Sequence, residues 1–178
     1  MKRITVANKE FEIFLDKEMI QNRINQIGGR LNADYQGKCP LIIGVLNGSF
    51  LFMADLVKEL QINCEIAFIR LRSYEGTKTT GKIKELMGLP EDLKARDIII
   101  VEDIVDTGLT IDHILKRVKE QEPESLKVCA LLLKPLSLKK EVPELAYVGF
   151  EIPDDFVVGY GLDYDGLGRN SSDIYKAV

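Results

Sequence analysis

Residues 98–110 read IIIVEDIVDTGLT, and no other part of the chain constrains the architecture as strongly. The stretch opens with consecutive apolar residues, as in a strand that is buried on both faces of a sheet. Gly108 permits a tight turn, and from Leu109 onward apolar residues recur at helical spacing. Three carboxylates separate the strand from the helix: Glu102, Asp103 and Asp106. The stretch therefore predicts a strand that turns directly into a helix, with acids at the strand's carboxyl end.

The same alternation of strand and helix continues on both sides of this stretch. The predicted strands are PLIIGVL (40–46), NCEIAFIRL (63–71), ARDIIIVEDIV (95–105) and SLKVCALLLKP (125–135). Helical spacing links Met19 to Leu31, with Asp16 as a possible N-cap, and a second stripe starts at Met53. This order is typical of an α/β fold with a central parallel sheet flanked by helices. From about residue 147 the chain becomes loop-rich, as in a small cap on the rim of the sheet.

Length, charge and cysteine content exclude several classes of protein. The 178 residues favour a single domain, 1–178. A net charge of −4 provides no field that would attract nucleic acid or an anionic membrane. No apolar run approaches the roughly 20 residues of a membrane span, and no signal segment is expected. Three scattered cysteines and one histidine, His113, disfavour a thiolate metal site or a Ser-His-Asp triad. The composition favours the cytoplasm.

Residues 76–82 read GTKTTGK and match the spacing of a nucleotide-binding P-loop, but the chemistry does not fit. A P-loop needs Ser or Thr after the lysine as a ligand for Mg²⁺, and Ile83 stands there instead. It also needs a helix that begins at that point, whereas KIKELMGLP has no helical stripe and contains Pro90. The stretch is therefore predicted to be a mobile loop.

The turn after residue 105 is better suited to hold phosphate. Amides from Thr107 onward, with the hydroxyls of Thr107 and Thr110, can surround a phosphate at the positive end of a helix. The carboxylates just upstream suit ribose hydroxyls and Mg²⁺. A ribose 5-phosphate derivative meets both requirements, and the carboxyl end of a parallel strand is where open α/β sheets bind ligands.

VEDIVDTGLT resembles the phosphoribosyl-diphosphate (PRPP) motif of type I phosphoribosyltransferases, in particular those that act on 6-oxopurines. Four further segments carry the resemblance across most of the chain: VLNGSF, SYEGTKTTGKI, LLLKP and EIPDDFVVGYGLDYDGLGRN. The resemblance implies the type I phosphoribosyltransferase fold, with a small hood formed by the N-terminal segment and the region from about 147. It also implies Mg²⁺-dependent transfer of the 5-phosphoribosyl group from PRPP to N9 of hypoxanthine, and of guanine, with release of pyrophosphate.

The family's functional positions can be carried over to this sequence. The resemblance implies a general acid/base at Asp106, close to purine N7, and a PRPP site that comprises Glu102, Asp103, Asp106, Thr107, Gly108, Leu109 and Thr110. It implies pyrophosphate contacts from the first loop, often through a cis peptide, from the closing loop and from an arginine: Asn47, Gly48, Ser73, Tyr74 and Arg169. The implied purine pocket comprises Lys134, which donates to the 6-oxo group, Phe156, which stacks on the base, Val157 and Asp163. The implied Mg²⁺ ligands are Glu102, Asp103 and Asp163.

One position departs from the family pattern, since many members have lysine where this chain has Asn47. Tyr160 and Tyr164 are interpreted as packing residues, and Val158 as core. A preference for xanthine is one alternative, and a PRPP-binding regulator of the same fold is another. A regulator that binds nucleic acid would need a basic face or an added helix-turn-helix, and the acidic chain has neither. The expected partners are small-molecule substrates and further copies of the chain, in a homodimer or homotetramer.

Overall fold

The computed structural model describes residues 2–73 and 83–178. Three α-helices are formed, α1 (Lys17–Asp34), α2 (Phe50–Lys58) and α3 (Leu109–Lys119), and a short 3-10 helix covers Pro135–Ser137. The first five strands are β1 (Arg3–Val6), β2 (Lys9–Leu15), β3 (Leu41–Leu46), β4 (Glu65–Ser73) and β5 (Ile83–Met87). The remaining strands are β6 (Asp97–Val105), β7 (Ser125–Leu133), β8 (Leu145–Glu151), β9 (Val157–Val158) and β10 (Ile174–Ala177). No helix in these two ranges is both long and apolar enough to cross a membrane.

The larger sheet has six strands in the order β5-β4-β3-β6-β7-β8. All neighbouring pairs from β4 to β8 are parallel, so their carboxyl ends meet at one edge. The predicted α/β fold with a central parallel sheet is therefore confirmed. The exception is β5, which runs antiparallel to β4 at the sheet margin. Its strand conformation also means that no helix follows residues 76–82, as the rejection of a P-loop requires.

Two apolar cores fill the two faces of this sheet. On one face, α1 and α2 bury residues such as Ile24, Leu31 and Leu56 against the strands. On the other face, α3 buries Ile111, Ile114, Leu115 and Val118. The predicted N-cap is confirmed, since the carboxylate of Asp16 accepts a hydrogen bond from the amide of Met19 at 2.8 Å.

A second, smaller sheet brings together the two ends of the chain, with strands in the order β1-β2-β10-β9. The sequence placed the start of the cap near residue 147, whereas β8 belongs to the large sheet, and the small sheet takes its later strands from β9 and β10. β8 alternates between the two cores: Tyr147 joins one of them and Val148 the other. Such a strand of period two has no helical pattern and no uniform apolar run, which is why it resembled a loop.

Candidate functional site

The strand β6 carries the predicted acids to the carboxyl edge of the sheet. Glu102 and Asp103 lie within β6 itself, and Asp106 follows the strand's last residue. The turn ends at Gly108, which has a φ of +78° and is the N-cap of α3. This left-handed conformation favours glycine, and a Cβ there would lie 2.7 Å from the carbonyl oxygen of Lys140. Both the conformation and the contact therefore require glycine at this turn.

The segment that follows the 3-10 helix holds this turn through backbone hydrogen bonds. The carbonyl oxygen of Thr107 accepts hydrogen bonds from the amides of Lys139 at 2.9 Å and Lys140 at 3.3 Å. The first amides of α3 have no intrahelical partner, and the helix dipole favours an anion at this end. The amide of Leu109 donates to the Thr107 hydroxyl at 3.4 Å. A cavity of about 240 Å³ occupies the space above the turn, and residues 102–108, 110 and 111 line it. Its size and its amide donors suit a sugar phosphate.

Glu102 and Asp103 are carboxylates that burial makes costly to ionise. Glu102 is 7% exposed, and its Oε2 atom has no hydrogen-bond partner among the described residues. Burial, and then the charge of Asp103, raises the pKa of Glu102 well above its usual value. Burial also raises the pKa of Asp103 to about 6, against the opposing effect of a hydrogen bond from the amide of Ile104 at 2.9 Å. An unsatisfied oxygen and two desolvated carboxylates fit a cation or sugar hydroxyls.

The described residues contain no group of three or more His, Cys, Asp or Glu side chains that could hold a metal ion by themselves. This arrangement differs from that of calcium proteins, where the protein supplies most of the ligands. Magnesium is usually held by one or two carboxylates, with water and substrate phosphates as the other ligands. The donor set of Glu102 and Asp103 fits magnesium bound in this way.

The loop after β3 lies directly against the acids. The peptide bond between Leu46 and Asn47 is cis. A Cβ on Gly48 would lie 1.6 Å from the carboxylate of Asp103, and a Cβ on Gly161 would lie 2.0 Å from the carbonyl oxygen of Gly48. Three segments that are far apart in sequence therefore meet at this point. The backbone of Gly48 lies against the Asp103 carboxylate, and the backbone of Gly161 lies against the Gly48 carbonyl group.

Arg169 holds the C-terminal segment in place around the same point. Its Nη1 atom donates to the carbonyl oxygen of Gly161 at 2.6 Å, and its Nη2 atom pairs with the Asp163 carboxylate at 2.5 Å. Asp163 also accepts a hydrogen bond from the amide of Gly166 at 2.7 Å. The charge of Arg169 is close enough to lower the pKa of Asp103. The predicted pyrophosphate arginine and the predicted Asp163 ligand thus lie beside the acids, paired with each other.

Lys134 lies at the end of β7, next to the acids of β6. The residue is 7% exposed, and its ammonium lies 3.2 Å from the Asp106 carboxylate and 3.3 Å from that of Asp154. It borders a second cavity of about 240 Å³, lined by Asp103, Ile104, Asp106, Lys134, Phe156, Val157, Leu162 and Asp163. Asp103, Ile104 and Asp106 line both cavities, so the two spaces adjoin at these residues.

Phe156 presents a half-exposed ring to this second cavity, and an aromatic cluster supports it. The ring of Tyr164 meets Phe156 edge-on at 5.7 Å between centroids, and Phe11 lies 6.2 Å from both rings. Val157 and Val158 are buried. Tyr160 is also buried and donates a hydrogen bond to Asp55 at 2.5 Å, so both tyrosines pack as predicted.

The structure brings most of the predicted site residues to the carboxyl edge of the large sheet, with two exceptions. Tyr74 lies outside the described residues, as does the rest of the predicted loop up to Lys82. Ser73 ends β4, where its backbone is paired with Ile83. Asp154 was missed, although it lies two positions before Phe156 in a quoted segment. Its interactions with Ser137 and Lys134, which lower its pKa, distinguish it from an ordinary surface acid.

Comparison with known proteins agrees with this geometry. Residues 12–165 match the family model described as a phosphoribosyl transferase domain. A hypoxanthine-guanine phosphoribosyltransferase of Staphylococcus aureus (strain Mu50 / ATCC 700699) is 41% identical over 160 residues, which are 89% of each chain. The hypoxanthine phosphoribosyltransferase of Escherichia coli (strain K12) is 41% identical over 170 residues, or 94% of this chain and 95% of that protein. A crystal structure of a hypoxanthine phosphoribosyltransferase from S. aureus superposes with a TM-score of 0.88 at 39% identity, covering 94% and 91% of the two chains.

Proposed function

This chain belongs to the phosphoribosyl transferase family, and we propose that it acts in purine salvage by transferring the 5-phosphoribosyl group of PRPP to hypoxanthine or guanine. One observation carries the proposal for the site: Asp103, Ile104 and Asp106 line both the cavity above the Thr107–Gly108 turn and the cavity beside Lys134. A ribose held at these residues would have its 5-phosphate in the first cavity and the incoming base in the second.

The donor half of the reaction would take place above the turn. The amides that begin α3 and the hydroxyls of Thr107 and Thr110 would bind the 5-phosphate, while Glu102 and Asp103 would accept hydrogen bonds from the ribose hydroxyls. The bond between the anomeric carbon and pyrophosphate breaks, and positive charge develops at that carbon, as in other glycosyl transfers. At an effective dielectric constant near 20, a carboxylate about 4 Å away contributes about 4 kcal/mol before desolvation is subtracted.

Pyrophosphate would leave toward the loop of Asn47 and Gly48 and toward Arg169. The guanidinium of Arg169 is suited to phosphate oxygens by its planar fork of donors. Glu102 and Asp103 would hold Mg²⁺ directly or through water, with Asp163 as a further oxygen donor. When bound, the metal would neutralise charge on the departing pyrophosphate. Ser73 and Tyr74 would close over the reacting centre, which matters because hydrolysis of PRPP competes with transfer.

The acceptor half would take place beside Lys134. Phe156 would stack on the purine, the backbone of Val157 would contact the edge of the base, and the Lys134 ammonium would donate to the 6-oxo group. Asp106 would accept the proton that the base loses, at N7, as its N9 atom bonds to the anomeric carbon. Adenine carries an amino donor at position 6, which a lysine donor does not satisfy, so the site should favour 6-oxopurines.

The remaining properties of the protein are proposed on the same basis. The chain would act on small molecules in the cytoplasm, without a nucleic-acid or membrane partner, and would assemble as a homodimer or homotetramer. Assembly is testable by measuring the mass in solution at several concentrations. A mass that equals one chain throughout would contradict it.

The reaction is tested by measuring pyrophosphate release from PRPP and Mg²⁺ with hypoxanthine, guanine, xanthine and adenine in separate reactions. We expect release with hypoxanthine and guanine, and little with adenine. Product from xanthine or adenine alone would agree with the proposed PRPP site and contradict the proposed base pocket. Binding of PRPP without transfer to any base would point instead to a regulatory protein of the same fold.

A further inference from the structure

Lys134 is held between two carboxylates that approach it from different parts of the chain. Asp106, on the turn after β6, lies 3.2 Å from the ammonium, and Asp154, on the loop after β8, lies 3.3 Å from it. The Lys134 side chain is only 8% exposed, whereas that of Asp154 is 71% exposed. A nearly buried ammonium is costly without partners, so both contacts offset its desolvation.

The two contacts also fix the direction of the lysine's remaining hydrogen bond. An ammonium has three N–H donors and no acceptor. With one donor toward Asp106 and one toward Asp154, a single donor remains for a ligand in the cavity that Lys134 borders. If only Asp106 were present, the ammonium could move toward that carboxylate and lose this direction.

Asp154 has a second consequence, because of the loop on which it lies. The loop between β8 and β9 begins after Glu151 and carries Phe156, whose ring lines the same cavity. The ion pair with Lys134 links this loop to the end of β7, and a side-chain interaction of Asp154 with Ser137 links it to the 3-10 helix that follows. Asp154 itself is not among the residues that line the cavity. Any effect of Asp154 on a bound base therefore passes through Lys134 or through Phe156.

We propose that Asp154 is a positioning residue: it directs the Lys134 ammonium into the purine cavity, holds the Phe156 loop against it, and so sets the preference for 6-oxo over 6-amino purines. The inference rests on the proposed function, since it assumes that the cavity takes a purine. It concerns the base and not PRPP, because Asp154 does not line the cavity above the Thr107–Gly108 turn.

The test compares Asp154→Asn with the wild type and with Asp155→Asn, a control that removes the same charge one position further along. The Asp155 carboxylate makes no hydrogen bond or ion pair with other residues in 2–73 and 83–178. Three constants are measured: KM for hypoxanthine, KM for PRPP, and the inhibition constant of adenine against hypoxanthine. Thermal melting verifies that each variant is folded, and Asp154→Glu tests whether a carboxylate alone restores the constants.

For Asp154→Asn we expect KM for hypoxanthine to rise about two- to fivefold, the effect of losing one partly exposed ion pair. We expect no change in KM for PRPP. The adenine inhibition constant should rise less than KM for hypoxanthine, because a looser Phe156 loop affects both bases and the Lys134 donor only the 6-oxo base, so that selectivity against adenine falls. Asp155→Asn should match the wild type, and Asp154→Glu should recover part of the loss.

Three results would overturn the inference. The first is an unchanged KM for hypoxanthine. The second is an equal weakening of hypoxanthine and adenine, which would mean that Asp154 only stiffens the loop. The third is an equal effect of Asp155→Asn, which would reduce the role of Asp154 to surface charge. If the wild type makes no nucleotide from any purine while PRPP still binds, the proposed function itself fails and this inference fails with it.

Discussion

Replacing Asp103 with asparagine should make the protein more stable and inactive at the same time. In the folded chain the carboxyl has a pKa of about 6, against 3.8 for an ordinary aspartate, because burial disfavours its charged form. At about 1.4 kcal/mol per pKa unit, the difference corresponds to roughly 3 kcal/mol. Asp103 is half-buried, and screening by solvent reduces this to about 1–2 kcal/mol.

The sign of the effect follows from proton binding. The folded chain holds the Asp103 proton more tightly than the unfolded chain does. The stability from this group is therefore complete below pH 3.8 and is lost as the pH rises through 6. Asparagine does not titrate, so the variant does not lose stability from this position as the pH rises. It can still accept the hydrogen bond from the Ile104 amide through its side-chain oxygen.

The assay is thermal unfolding of Asp103→Asn and wild type between pH 4 and pH 8, without metal or PRPP. The variant should melt at nearly the same temperature as the wild type at pH 4, and roughly 2–8 °C higher at pH 7.5. Adding PRPP with Mg²⁺ should raise the melting temperature of the wild type and not that of the variant. Transfer activity of the variant should be lost.

Asp163→Asn is the matched control, since it removes a carboxylate that is paired. Asp163 forms an ion pair with Arg169 at 2.5 Å and accepts a hydrogen bond from the Gly166 amide. This variant should melt below the wild type at pH 7.5. The reasoning is refuted if Asp103→Asn also melts lower at pH 7.5, or if it gains the same amount at pH 4 as at pH 7.5.

Three further substitutions test the other parts of the site. Asp106→Asn should lower kcat by a factor of about 10²–10⁴, as loss of a general acid/base does, with little change in PRPP binding; equal loss of both would make the residue structural. Lys134→Ala should lower kcat/KM for hypoxanthine about 10–100-fold, the effect of losing a charged hydrogen bond, and unchanged base preference would refute its role. Gly161→Ala, whose Cβ would lie 2.0 Å from the Gly48 oxygen, should melt well below Gly166→Ala, which shares a positive φ but meets nothing within 4 Å. Equal melting temperatures would mean that the Gly48 contact is unimportant.

The large sheet could be predicted because its determinants are local. Each buried parallel strand is an apolar run that ends at a turn, and β6 shows its helix immediately afterwards, at Gly108. Asp16 caps α1 by accepting a hydrogen bond from the amide of Met19, only three residues further along the chain. Glycine is unfavourable within a helix, but a Cβ on Gly28 would lie 2.6 Å from the Cβ of Glu59, so glycine allows α1 and the end of α2 to approach closely.

The resemblance implied a hood formed by the two ends of the chain, but the strands of the small sheet and their register could not be predicted, because the pairing depends on contacts between segments far apart in sequence. β2 pairs with β10, and in that pairing Phe11 lies opposite Ala177. Such contacts leave no periodic signal within either segment. The antiparallel β5 was missed as well, because IKELM is a short strand with two charged residues and its pairing with β4 is a tertiary contact.

Some features of the candidate site also could not be predicted from the sequence. The order of the motifs indicated which residues would meet, but not that Gly48 and Gly161 touch through their backbones. The high pKa of Asp103 arises from burial, which depends on the surrounding fold. The position of Asp154 beside Lys134 is likewise a tertiary contact between β7 and the loop after β8.

A competition assay tests the central claim most directly. Equal concentrations of hypoxanthine and adenine are mixed with the protein, Mg²⁺ and limiting PRPP, and the mononucleotide products are separated and quantified. The account predicts inosine monophosphate as the main product, and a smaller excess over the adenine nucleotide when Lys134 is replaced by alanine. Comparable amounts of both nucleotides from the wild type would contradict it.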